Sequence, residues 1–195
     1  MRYLIVCGGK IDKEFGLNEI KTDGIDAIIA ADSGMDFLYE NGVTPDIIVG
    51  DFDSTTTNAL EYFERKGQTE IRRLNPVKDD TDTEYAIRLA ISEGARSIVV
   101  LGATGSRIDH VLGNISLLGI GLESKTDISI IDTNNRIRMA DKPVTIEKSA
   151  QYGRFVSLIA LTDDNEVSLK GFKYPVTDYS FDRFTSLGIS NEIVD

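Results

Sequence analysis

A chain of 195 residues with 41% apolar and 27% charged residues has the composition of a folded globular protein, long enough for one large domain or two small ones. Its 32 acidic against 21 basic residues leave a net charge of −11, which repels nucleic-acid phosphates and anionic lipid, so an anionic ligand would need a metal ion or local arginines. One cysteine and one histidine exclude an intrachain disulfide and the donor set of a typical zinc site, and no apolar run is long enough to span a bilayer.

The first predicted element is a strand from Tyr3 to Val6, followed by Gly8-Gly9, where the backbone can turn tightly beneath a ligand. MRYLIVCGG lacks the longer apolar core and cleavage site of a secretion signal; with the lone Cys7 it points to a cytoplasmic protein in a reducing compartment. Cys7, ending an apolar strand, reads as a buried structural residue. Lys10 to Asp26 is polar and weakly patterned, a loop with a short helix. Ala27 to Ala31 is continuously apolar, as in a parallel strand covered on both faces, and Asp32 with Gly34 breaks it. Met35, Phe37, Leu38 and Tyr39 carry a short helix that stops at Asn41-Gly42.

Asp46 to Val49 is a second buried strand and runs into Gly50-Asp51-Phe52-Asp53-Ser54. If that segment is extended, Asp51 and Asp53 share one side and Phe52 faces the interior. Two carboxylates on one side suit a hard cation such as magnesium. Asp-rich turns after strands also cap helices and bond their own backbone, so the pair alone is read more readily as turn chemistry.

Asn58 to Lys66 is a helix ending at Gly67, and Glu70 to Leu74 a strand. The loop Asn75-Pro76-Val77-Lys78-Asp79-Asp80-Thr81-Asp82 leads into a helix with Tyr85, Ala86, Leu89 and Ala90 on one face, capped by Thr81 or Asp82. Capping does not account for three Asp and a Lys before one helix, where repulsion calls for a cation or ligand. Ser97 to Leu101 is a β-branched strand, and Gly102-Ala103-Thr104-Gly105-Ser106-Arg107 precedes a helix from about Ile108 to Leu122. Small residues there permit close approach, backbone N–H groups at a helix start bind phosphate, and Arg107 adds a cationic fork. Tight packing would use the same glycines. Asp109 and His110 fall on the first turn. A P-loop is absent, and Gly8-Gly9 lacks the spacing of a dinucleotide fingerprint.

Strands alternating with helices predict a parallel sheet with right-handed crossovers, whose ligands bind at the strands' carboxyl ends. Asp32, Asp51 with Asp53, Lys78 to Asp82 and Gly102 to Asp109 should therefore converge on one edge. After a strand at Ile128 to Asp132, short strands are expected at Arg136 to Met139, Val144 to Glu147, Phe155 to Leu161 and Glu166 to Leu169. The expected architecture is an α/β domain with a parallel sheet over residues 1–132 and a small antiparallel β-sandwich over 133–195.

AADSGMDFLYENGVTPDIIVGDFDST, KDDTDTEYAI, GATGSRIDHVLGNISLL and SLGISNE together resemble the signature segments of the thiamine pyrophosphokinase family, in the same order and across nearly the whole chain. The resemblance implies a magnesium-dependent transfer of pyrophosphate from ATP to the hydroxyl of thiamine with release of AMP. It also implies a homodimer with active sites between subunits. Carried over by position, Asp51, Asp53 and Asp82 hold magnesium and Thr81 contacts the nucleotide. Asp32, Lys78, Arg107 and Asp109 surround the triphosphate, and Ser186, Ser190 and Asn191 touch thiamine. As a half-buried strand, Phe184 to Asn191 would bury Leu187 and Ile189 and turn its polar residues to one face. Either Asp53 or Asp82 could accept the hydroxyl proton. Some relatives stack thiamine on a tryptophan, and this chain has none. The rival readings are a metal-dependent hydrolase or nucleotide-sugar transferase, and a nucleotide sensor without turnover.

Overall fold

The computed structural model describes residues 1–52, 58–75, 80–105 and 107–194. The chain separates into two compact units, Met1–Lys142 and Pro143–Asp195. In the first, strands β1 (Arg2–Val6), β2 (Ala27–Ala31), β3 (Ile47–Gly50), β4 (Glu70–Arg73), β5 (Ser97–Leu101), β6 (Asp127–Ile131) and β7 (Arg136–Arg138) form one sheet in the order β4-β3-β2-β1-β5-β6-β7. The first six are parallel, and β7 pairs antiparallel with β6. Helices α1 (Lys13–Ile20), α2 (Gly34–Glu40), α3 (Ala59–Lys66), α4 (Asp82–Ser92) and α5 (Ile108–Ser124) make the connections. The chain builds outward from β1 to β4, then returns through α4 to lay β5 on the other side of β1. At such a reversal the loops after the two flanking strands diverge and leave a crevice at the carboxyl edge.

Alternation divides each central strand between two cores. Tyr3, Ile5 and Cys7 of the β1 segment pack with Ala86, Ile87, Leu89 and Ala90 of α4 and Leu118 of α5. Leu4 and Val6 pack with Met35 and Leu38 of α2 and with Ala59 and Phe63 of α3. Both faces are thus covered, which is why these strands are continuously apolar. Burying each Leu, Ile, Val, Met or Phe side chain among these contributes about 1.5–3 kcal/mol. Local signals set the helix ends: Asp12 accepts the Phe15 N–H at 2.9 Å, Thr81 accepts the Glu84 N–H at 3.2 Å, and Gly67 closes α3 at φ 64°.

The two compact units divide between Lys142 and Pro143, and Arg136–Arg138, hydrogen-bonded to β6, belong to the first. In the second unit β8 (Asn165–Leu169) and β9 (Val176–Phe181) form a two-stranded antiparallel sheet, joined by isolated bridges Val156–Asn191 and Phe172–Ile193. The antiparallel character matches expectation, but strands do not form at Val144 to Glu147 or over most of Phe155 to Leu161. Val144, Ile146, Phe155, Ile159 and Leu161 are exposed, so apolar residue type there was not a sign of burial in a sheet. β9 had no predicted counterpart.

Candidate metal centre

Asp32 follows β2, Asp51 follows β3, and Asp82 opens α4. Strands β2 and β3 are paired with Ala31 opposite Val49, and the Asp32 N–H donates to the Val49 carbonyl at 2.8 Å, so the residues just beyond both strands emerge side by side. Thr81 fixes the start of α4 by its side-chain cap and sets Asp82 in the first turn. Each of the three half-buried aspartates offers an oxygen within 4.8 Å of the other two.

Three carboxylates at that separation repel one another, and a shared cation removes the repulsion. A small hard cation with oxygen ligands at about 2.1 Å could be shared by carboxylates that approach one another this closely. The all-oxygen donor set favours magnesium-like over zinc-like ions. Asp32 belongs to this cluster, although its expected place was beside the triphosphate. The signal was present in the sequence: Asp32 ends an apolar strand just as Asp51 does.

Just after β3 the chain is not extended at Phe52. Phe52 sits in the left-handed region at φ 65°, so strict alternation does not hold, although its ring packs against the core as expected. The Arg73 guanidinium lies 5.3 Å from the centre of that ring. The expected ligand Asp53 and the expected triphosphate contact Lys78 lie outside the described residues.

The floor of the crevice is backbone packed on backbone. The Gly9 N–H donates to the Gly102 carbonyl at 2.9 Å, and a Cβ on Gly9 would come within 2.3 Å of that oxygen. Gly102, at φ 68°, leaves room for the Cys7 carbonyl, which a Cβ would approach to 2.3 Å. Tight packing thus accounts for these two glycines, whatever the loop also binds. Beside Gly8 and Gly9 opens a cavity of about 330 Å³, lined also by Ser33, Asp36, Phe37 and Glu40. Its acidic rim suits hydroxyl donors or a cation. Cys7 is buried below, within 3.4 Å of the Thr83 hydroxyl, and burial pushes its thiol up to about 11, so it is inert as a nucleophile near neutral pH.

Arg107 and Asp109, at the start of α5, form an exposed ion pair at 2.6 Å, and the Arg107 hydrogen bond holds the Asp109 carboxyl below its ordinary range. The Arg107 fork is therefore shared with a carboxylate rather than held open. His110 is exposed, and its N–H donates to Asp109.

In the second unit, Phe184 to Asn191 is not a half-buried strand. Residues 187–190 are a turn, Leu187 and Ile189 are 56% and 48% exposed, and Ser190 lies at φ 59° with its N–H donating to Ser157 Oγ. Ser186 is exposed. Asn191 is buried, its Oδ1 accepting from the Tyr174 and Glu192 N–H groups and its Nδ2 donating to the Tyr174 carbonyl at 2.8 Å. Both ends of that amide are used within the chain. A substrate contact at Asn191 would have to displace them.

Comparison with known proteins places both halves. Residues 21–131 match the family model described as thiamin pyrophosphokinase, catalytic domain, and residues 143–195 the one described as thiamin pyrophosphokinase, vitamin B1 binding domain. The thiamine pyrophosphokinase of Bacillus subtilis (strain 168) is 35% identical over 168 residues, which cover 85% of this chain and 78% of that protein. A crystal structure of thiamine pyrophosphokinase from Bacillus subtilis superposes with a TM-score of 0.87 at 33% identity, covering 100% of this chain and 91% of the other. That of thiamin pyrophosphokinase from Geobacillus thermodenitrificans superposes with a TM-score of 0.80 at 29% identity, covering 100% and 89%.

Proposed function

The chain belongs to the thiamin pyrophosphokinase family, and from that premise we propose that it transfers the pyrophosphoryl group of ATP to the hydroxyl of thiamine, giving thiamine diphosphate and AMP. The observation that carries the reading for this chain is the convergence of Asp32, Asp51 and Asp82 on one carboxyl edge. These residues would hold magnesium, with Asp53 as a further ligand. When bound, the ion neutralises phosphate charge and helps align the transferring group.

The chain's own residues supply position. Backbone N–H groups at the start of α5, with Arg107, Lys78, Thr81 and Asp109, surround the triphosphate. The thiamine hydroxyl oxygen attacks the β-phosphorus, the bridging bond to the α-phosphate breaks with AMP leaving, and a carboxylate at this edge, Asp53 or Asp82, takes the hydroxyl proton. Carboxylates left over favour the cationic thiazolium. The first unit is the catalytic domain and the second the thiamine-binding one, with Ser186 and Ser190 offering hydroxyls and Asn191 shaping the segment that carries them. The protein acts in the cytoplasm as a homodimer with active sites between subunits, on small molecules and without nucleic acid. Among the described residues no helix is long and apolar enough to cross a membrane.

The deciding assay incubates the protein with ATP, magnesium and thiamine and follows AMP. AMP formation that requires thiamine is expected. Nucleotide breakdown without thiamine would indicate a hydrolase, and binding without turnover a sensor; either result overturns the reading.

A further inference from the structure

The loop between β5 and α5 is held from three sides. Gly102 accepts from the Gly9 N–H at 2.9 Å, Ala103 accepts from the Asn114 side chain at 2.9 Å, and the Thr104 hydroxyl donates to Asp132 Oδ2 at 2.7 Å. The first two contacts grip backbone carbonyls. The third joins two side chains and reaches from this loop to the turn between β6 and β7. Asp132 sits just past β6, and its other oxygen, Oδ1, accepts the N–H groups of Asn134 and Asn135 at 2.7 and 2.8 Å. One carboxylate therefore ties the β6–β7 turn to the glycine-rich loop. Burial by itself would push this carboxyl up, but the hydrogen bonds from Thr104, Asn134 and Asn135 outweigh it and hold it low, so it stays ionised and accepts at both oxygens near neutral pH.

We propose that Asp132 is a positioning residue for nucleotide binding, acting through the Thr104 hydroxyl to fix the β5–α5 loop in the shape that receives the phosphates. This rests on the reading that the loop binds the nucleotide. Gly102 and Gly105 both occupy the left-handed region, at φ 68° and 76°, so the loop's backbone is intrinsically permissive, and Thr104 supplies a side-chain anchor between those glycines. Losing a charge-assisted bond there releases the residue whose neighbours must present their N–H groups.

Binding of α,β-methylene-ATP with magnesium, in which the bond to be broken is replaced, is measured by calorimetry for wild type, T104V, T104S, D132N and D132N/T104V, beside steady-state KM for thiamine. T104V should bind the analogue about tenfold more weakly, with thiamine KM and melting temperature near wild type, and T104S should recover most of the affinity. D132N should weaken binding in the same direction, and the double variant should be no weaker than D132N alone, since both act through one bond. Wild-type affinity in T104V, or additive losses in the double variant, would overturn the proposal. If D132N does not fold, the T104V and T104S pair still decides. Absence of thiamine-dependent AMP formation in wild type would instead remove the functional reading itself.

Discussion

Asp32 and Phe52 close neighbouring strands in the left-handed region, at φ 48° and 65°, a conformation that costs about 1–2 kcal/mol for most side chains. Aspartate tolerates it better than phenylalanine, whose ring is instead fixed by the core and by Arg73. Asp32→Asn keeps that tolerance and removes one of three clustered charges. Without metal the variant should be more stable than wild type by about 1 kcal/mol, the scale of a like-charge contact in water, while the stabilisation that magnesium confers on wild type should shrink and turnover be lost. Thermal melts with and without magnesium, beside the AMP assay, check all three. Asp82→Asn should abolish turnover with its circular dichroism unchanged, and full activity there would remove the metal site. Cys7 gives a pH test. Its thiol is raised from 9.0 to about 11 on folding, so the folded protein holds a proton that the unfolded chain releases between those values. Its contribution is intact below pH 9 and is lost as pH rises toward 11, by about 2–3 kcal/mol at most. Urea melts of Cys7→Ala should show a shallower alkaline fall than wild type.

At the scale of elements, α4 links stability to the site because its cap, Thr81, and its first residue, Asp82, are neighbours. Thr81→Ala should cost about 1 kcal/mol in denaturant unfolding and weaken metal binding as well, since the first turn that holds Asp82 frays. A Thr81→Ala protein that lost stability but kept its metal affinity would break that link. Gly34 opens α2 against β1: a Cβ there would lie 1.9 Å from the Val6 carbonyl, so Gly34→Ala should destabilise by about 2–3 kcal/mol or more. The elements of the first unit were legible because several signals agreed. Ala27–Ala31 and Ser97–Leu101 are apolar on both faces, Thr81 is a cap of the favoured kind, and Gly67 stops α3. In the second unit the signals conflict. Apolar residues such as Phe155, Ile159 and Leu187 are exposed, and the segment read as a strand is held by a buried asparagine amide bonded to backbone, a pattern with no sequence period.

At the scale of the molecule, the second unit has, among the described residues, a two-stranded sheet as its regular framework and leaves Phe155, Ile159, Leu161, Phe184 and Leu187 exposed, an apolar surface of the kind that partner chains cover. Light scattering at micromolar concentration should report the mass of two chains; a monomer would contradict the proposed dimer. The sequence by itself determined the α/β class, the strand-to-helix alternation, and the fact that acidic and glycine-rich turns follow strands, because buried parallel strands and helix caps are written in local residue types. Only the tertiary structure decided which of those turns meet. Strand order and register place Asp32 beside Asp51, and the return of α4 across the sheet brings Asp82 to them. These are contacts between residues far apart in the chain, and chain spacing carries no record of them.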